Sequence, residues 1–99
     1  RSLNQLGTVP KEALPALVDS LRYMYARTEA AEALANLGDE GFAELVKAAR
    51  SSDSGIRSAV ASALDECGVK AVPILIRLAK DPSYPVRDRA VRSLGNIGP

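Results

Sequence analysis

The stretch that decides the fold is Val86-Arg87-Asp88-Arg89-Ala90-Val91-Arg92-Ser93-Leu94-Gly95-Asn96-Ile97-Gly98. Thirty residues upstream stand Ile56-Arg57, Ala63-Leu64 and Cys67-Gly68, and thirty further Ala26-Arg27, Ala33-Leu34 and Leu37-Gly38. A fixed period is the mark of one supersecondary unit repeated in tandem, and a unit of this length holds two short helices. The expected fold is therefore all-α, a solenoid of stacked helical hairpins over 8–38, 39–68 and 69–98. Arg1-Ser2-Leu3-Asn4-Gln5-Leu6-Gly7 aligns with residues 92–98, so 1–7 reads as the end of a preceding repeat. Residues 1–99 are read as a single repeat domain and a piece of a longer array.

Working outward, each unit carries two apolar stripes of helical period. In the second helices they run Ala26, Ala30, Leu34, Leu37; then Ile56, Val60, Leu64, Cys67; then Val86, Ala90, Leu94, Ile97. In the first helices they run Leu14, Leu17, Val18, Leu21; Phe42, Leu45, Val46, Ala49; and Val72, Leu75, Ile76, Ala79. Pro15 and Pro73 share a column and belong in first turns, where a missing N–H costs no hydrogen bond. Gly38, Gly68 and Gly98 are expected to end the second helices in a left-handed conformation that a side chain resists. Asp39 is expected to cap the helix that follows Gly38. Arg22, Arg50 and Lys80 should favour the negative ends of the first helices.

The inter-helix turns at 51–55 and 81–85 are rich in turn formers. The first unit offers only Leu21-Arg22-Tyr23-Met24-Tyr25, two residues shorter, and a tight turn is expected near 22–24. Thr8-Val9-Pro10 restores the period by lengthening the preceding loop. Tyr23, Met24, Tyr25 and Tyr84 read as covers over the ends of the helical layers, with recognition anchors as the alternative.

Thirteen basic and twelve acidic residues leave a net charge of +1, so no global field draws the chain to nucleic acid or a membrane. Histidine is absent, which removes the commonest general base and the commonest metal ligand together. No Gly-rich phosphate loop, CxxC or nucleophile elbow occurs. The adjacent acids Asp39-Glu40 and Asp65-Glu66 read as solvated surface. Cys67 is the single cysteine, so no internal disulfide forms; it shares a core column with Leu37 and Ile97 and fits a reducing, cytoplasmic compartment. No apolar run is long enough to span a bilayer. These features predict neither catalytic residues nor a cofactor nor a metal, and so no enzyme.

Leu37-Gly38-Asp39, Ala71-Val72-Pro73, Asp81-Pro82 ahead of Val86-Arg87, and the close Ser93-Leu94-Gly95-Asn96-Ile97-Gly98 resemble the short HEAT-like repeats first described in phycobilisome bilin lyases. The resemblance implies an α-solenoid. It also implies a structural ladder in which Arg27, Arg57 and Arg87 pair with aspartates of the turns. On this basis Asp81 is expected to serve Arg87 and Asp53 to serve Arg57, while the first repeat offers Arg27 no turn aspartate. The alternative is a row of cations for an anionic partner. Repeats of this type also occur in hydroxylases, which hold iron through His-Glu motifs, and in DNA glycosylases with strongly basic faces. The absence of histidine and tryptophan and the balanced charge run against both.

The resemblance places the second helices on a concave face. Two columns there read Glu29, Ala59, Arg89 and Arg1, Glu32, Ser62, Arg92, passing from acidic through small to basic. Glu29, Glu32, Arg89 and Arg92 are thus candidate protein-binding residues. Ile74 and Leu78 stand where the other repeats have Ala16 and Ser20 or Glu44 and Ala48, and predict an apolar edge for a further repeat or a second copy. The expected function is a non-catalytic protein–protein interaction scaffold with a protein partner. Nucleic acid and membrane are disfavoured as partners. The alternative is part of a bilin-lyase-like subunit that assists chromophore attachment or detachment.

Overall fold

Glycine sets the breaks in this chain. Gly38, Gly68 and Gly98 have φ of 73°, 73° and 91°, and among the described residues no other residue type has positive φ. The computed structural model describes residues 11–98; the readings of 1–7 and 8–10 lie outside them. A turn of 3-10 helix at Lys11–Ala13 leads into α1 (Leu14–Ser20), followed by α2 (Arg27–Ala35), α3 (Asp39–Ala48), α4 (Ser54–Ala63), α5 (Val72–Leu78) and α6 (Tyr84–Ile97). The described residues contain no strand. They form an all-α repeat fold of three helical hairpins, α1–α2, α3–α4 and α5–α6.

Local chemistry explains most boundaries. Pro15 and Pro73 lie in the first turns of α1 and α5, as their column predicts. Asp53 caps α4 by accepting from the Gly55 N–H at 2.8 Å. Asp39 does not cap α3: Gly38 occupies the cap position with φ 73° and ψ −146°, and Asp39 is the first helical residue. Its carboxylate still sits at the positive end of the helix. After α4 the backbone tightens into 3-10 turns over Leu64–Ala71, broken at Gly68. The short first turn is a true break, closed by Arg22 N–H to Asp19 O and Tyr23 N–H to Ser20 O, both 3.1 Å. Arg22 and Arg50 fall just beyond α1 and α3, Lys80 just beyond α5.

The second helices form the tight layer, α2 against α4 and α4 against α6, whereas α1, α3 and α5 make almost no direct contact with one another. Close packing on one layer and splay on the other curve the stack, with α2, α4 and α6 inside. The core is a continuous run of Leu17, Leu34, Leu45, Val60, Leu64, Leu75 and Val86 between the layers. Burying each leucine contributes about 1.5–3 kcal/mol relative to exposure. Ala31 and Ala61 are fully buried under the next hairpin, which lets the inner helices approach closely. Gly41 is the tightest point of this packing. A Cβ there would collide with the Leu34 backbone carbonyl, because α3 starts directly against the end of α2.

The third hairpin is rolled relative to its predicted stripe. Leu78, expected at an exposed apolar edge, is 2% exposed, and Ile74 is half-buried against the core. Ile76, expected inside, is 47% exposed. Large aliphatics at 74 and 78 outcompete the 76 position for the core, which their smaller or polar counterparts in the other repeats cannot do.

Candidate interaction surface

Two polar seams lock the hairpins and fix where the inner face points. At the turns, Arg57 donates from Nε and Nη2 to both Asp81 oxygens at 2.7 and 3.0 Å, and from Nη1 to the Ser51 carbonyl at 2.8 Å. Arg27 donates to the Leu21 carbonyl at 2.8 Å and reaches Asp53 at 3.4 Å. Arg87 donates to the carbonyls of Asp81 and Pro82 at 2.8 and 3.0 Å and lies over the Tyr84 ring. So the pairing is offset by one repeat. Asp81 serves Arg57 rather than Arg87, and Asp53 serves Arg27 rather than Arg57. The reason is that each arginine hydrogen-bonds the turn carbonyls of its own repeat, which aims the free edge of its guanidinium at the next turn.

Asp81 is nearly buried, and the Arg57 hydrogen bond holds its carboxyl below the ordinary aspartate value, assisted by the Ser83 N–H. Gly55 leaves room for this seam: a Cβ there would run into the Arg27 guanidinium as it is placed. The second seam lies at the other end of the inner helices. Asn36 donates to Glu66 at 3.1 Å, Asn96 to Asp65 at 2.9 Å and Lys70 to Asp39 at 3.2 Å, with the Lys70 ammonium 4.7 Å from the Phe42 ring centroid. Inside it, the Ser93 hydroxyl donates to the Ala61 carbonyl at 2.6 Å.

Between the seams the inner face carries the predicted charges, redistributed. Glu29 and Arg89 are exposed on α2 and α6. Glu32 is half-buried, and burial first, then Glu66, Glu29 and Asp65, raise its carboxyl above the ordinary glutamate value. Hence the acidic end includes Asp65 and Glu66 as well as Glu29 and Glu32. Glu29 stands in the first turn of α2 and Glu32 further along it, while Asp65 and Glu66 follow α4 in the 3-10 turns. Arg92 is exposed but paired with Asp88 on its own helix at 3.0 Å. That leaves Arg89 as the cation the inner face presents most openly. It borders a cavity of about 270 Å³ that spans all three hairpins, with Met24, Thr28, Ser54, Ser58 and Pro85 on its walls.

Sequence reasoning placed Glu29, Glu32, Arg89 and Arg92 on one face. It missed Asp65 and Glu66 as members of the acidic end, although their position thirty residues after Ala35 and Asn36 was the available signal. Tyr23, Met24 and Tyr25 do not cover the layers: they are 58%, 72% and 95% exposed, because the shortened turn pushes them outward. Tyr84 is exposed too. Cys67 packs partly on the core, and burial raises its thiol above the ordinary value, which suppresses the thiolate. Among the described residues no three or more Cys, Asp or Glu side chains converge in a metal-ligating group, and no helix is long and apolar enough to cross a membrane.

A family model described as HEAT repeats matches residues 44–99. A second, described as PBS lyase HEAT-like repeat, matches residues 26–51. Among curated proteins none matches the chain.

Proposed function

The chain belongs to the HEAT repeat family, and from that premise we propose that it is a non-catalytic protein–protein interaction module. Its inner face binds an extended segment of a partner protein. The observation that carries the reading is the cavity shared by α2, α4 and α6, with Arg89 at its edge and four carboxylates on the same face. A segment bearing an acidic group toward Arg89 and basic groups toward Glu29, Glu32, Asp65 and Glu66 meets complementary charge along its length. Small and hydroxyl side chains between the poles, Ser54, Ser58 and Ala59, let a backbone approach closely. Cys67 as the single cysteine of these 99 residues suits a reducing compartment such as the cytoplasm.

The test is recovery of cross-linked partners from native extract, compared between the natural chain and the charge reversals Arg89→Glu and Glu29→Lys/Glu32→Lys. Partners held by the inner face are lost in both variants and released by salt. Identical recovery with all three proteins sinks the reading. The bilin-lyase alternative is supported by the repeat type matched at residues 26–51. It requires that a bilin added to the chain change its absorption spectrum.

A further inference from the structure

The inner-face cavity of about 270 Å³ has two arginines on its walls and, among the described residues, no carboxylate. We propose that it seats a phosphate monoester carried on a serine or threonine side chain of the partner segment. The inference rests on the inner-face reading above and gives a chemical identity to the acidic group that meets Arg89.

The donors come from all three hairpins: Arg27 and Thr28 from the first, Ser54 and Ser58 from the second, Arg89 from the third. Arg57 of the ladder engages all three guanidinium nitrogens, two with Asp81 and one with the Ser51 carbonyl. Arg27 does not. Its Nε meets the Leu21 carbonyl and its Nη2 the Arg22 carbonyl and Asp53, while Nη1 meets no acceptor among the described residues. That nitrogen lies over Gly55, where a Cβ would stand, and both residues border the cavity. Asp53 is not on the cavity wall, and its oxygens accept from the Gly55 N–H and from Arg27. Arg89 has no ion pair, and the hydroxyls of Thr28, Ser54 and Ser58 have no hydrogen-bond partner, within the described residues. Ser20 and Ser93, by contrast, close their hydroxyls onto backbone carbonyls.

Charge and donor number select among acidic groups. A carboxylate carries one negative charge and about four acceptor sites. A phosphate monoester carries about −1.5 to −2 at pH 7 on three strongly accepting oxygens. Two guanidinium edges and three hydroxyls around one cavity outnumber the acceptor sites of the first and suit the second. The apolar part of the wall, Met24, Pro85 and the buried Ala59, faces the carbon atoms that bear the ester.

The probe is a fluorescein-labelled peptide with one phosphoserine flanked by lysines, titrated into the 99-residue chain and read by fluorescence anisotropy. Its twins carry serine or glutamate at the same place. The phosphoserine peptide is expected to bind at least about tenfold more tightly than either twin, a difference worth about 1.4 kcal/mol. Inorganic phosphate is expected to displace it. Arg89→Gln is expected to erase the preference for phosphoserine. So is Ser54→Asp, which suits the first helical position of α4 and sets a carboxylate in the cavity. The proposal is overturned if the phosphoserine peptide does not bind, if the three peptides bind alike, or if the preference survives both variants in folded protein. The inner-face reading is judged separately, by the charge-reversal recovery described above: partners lost in those variants keep it even where phosphoserine earns no preference.

Discussion

Arg57 of the second hairpin grips Asp81 of the third in a two-pronged contact, 2.7 and 3.0 Å, with both side chains largely out of solvent. The planar guanidinium fork matches the carboxylate and leaves its third nitrogen for the Ser51 carbonyl. The sister contact, Arg27 to Asp53, is 3.4 Å long with Asp53 half exposed. The two should differ in strength for that reason. A double-mutant cycle on Arg57→Ala and Asp81→Ala, followed by urea unfolding, is expected to give a coupling of about 1.5–3 kcal/mol. The same cycle on Arg27 and Asp53 is expected to give about 0–1 kcal/mol.

The Arg57 contact also fixes a pH dependence. The Asp81 carboxyl is held below its ordinary value of 3.8 in the folded chain, first by the Arg57 hydrogen bond. The unfolded state therefore binds the proton more readily, and stability falls as pH drops below 3.8 through the lowered folded value. Urea midpoints measured between pH 6 and pH 2 should converge for the natural chain and Asp81→Asn at the acid end and diverge above pH 4.

Glu32 carries the opposite sign. Burial and neighbouring carboxylates raise its value, so the folded state takes up the proton first and the ionised group destabilises the fold at neutral pH. Glu32→Gln is expected to raise the melting temperature at pH 7, and the gain is expected to shrink at pH 4. An unchanged or lower melting temperature at pH 7 contradicts this placement of the acidic end.

Gly41→Ala tests the closest approach of helices. The added methyl meets the Leu34 backbone carbonyl, which cannot rotate away, and overpacking of this kind costs about 1–3 kcal/mol. Gly55→Ala meets the guanidinium of Arg27 instead, a flexible end. Its cost in thermal unfolding should largely vanish in the Arg27→Ala background, whereas that of Gly41→Ala should persist there.

Leu78→Ala and Ile76→Ala separate the two registers considered for α5. The buried Leu78 is expected to cost about 2–5 kcal/mol in chemical unfolding. The exposed Ile76 is expected to stay within about 0.5 kcal/mol.

The hairpins were legible because Gly38, Gly68 and Gly98 repeat a backbone requirement and the leucine columns repeat a packing one; both are local and periodic. What escaped was set by neighbours. The stripe of α5 was misread by one position because Leu75 belongs both to a stripe with Ile76 and Ala79 and to one with Ile74 and Leu78, and helical spacing alone does not choose between them. The offset of the ladder depends on the direction in which Arg57 leaves the turn, and nothing in the spacing of Arg57, Asp53 and Asp81 reports it. Tyr23-Met24-Tyr25 looked like a cover because aromatics usually are covered; two missing residues in the turn lifted it into solvent. On the inner face, Glu29 and Arg89 were readable from their columns; the place of Asp65 and Glu66 was readable from theirs, thirty residues after Ala35 and Asn36, but their approach to Glu32 is set by how the second repeat packs on α2.

The forward reach of Arg27 and Arg57 gives the ladder a form that tandem duplication can extend. A copied segment of residues 69–98 would bring an Asp81 for the Arg87 before it and a new arginine for whatever came next. A copy of the first unit would break that succession, because its turn carries tyrosines and methionine in place of the aspartate. Lengthening of such an array is thus biased toward its later units, and the irregular first one is the unit least able to be inherited as an internal link.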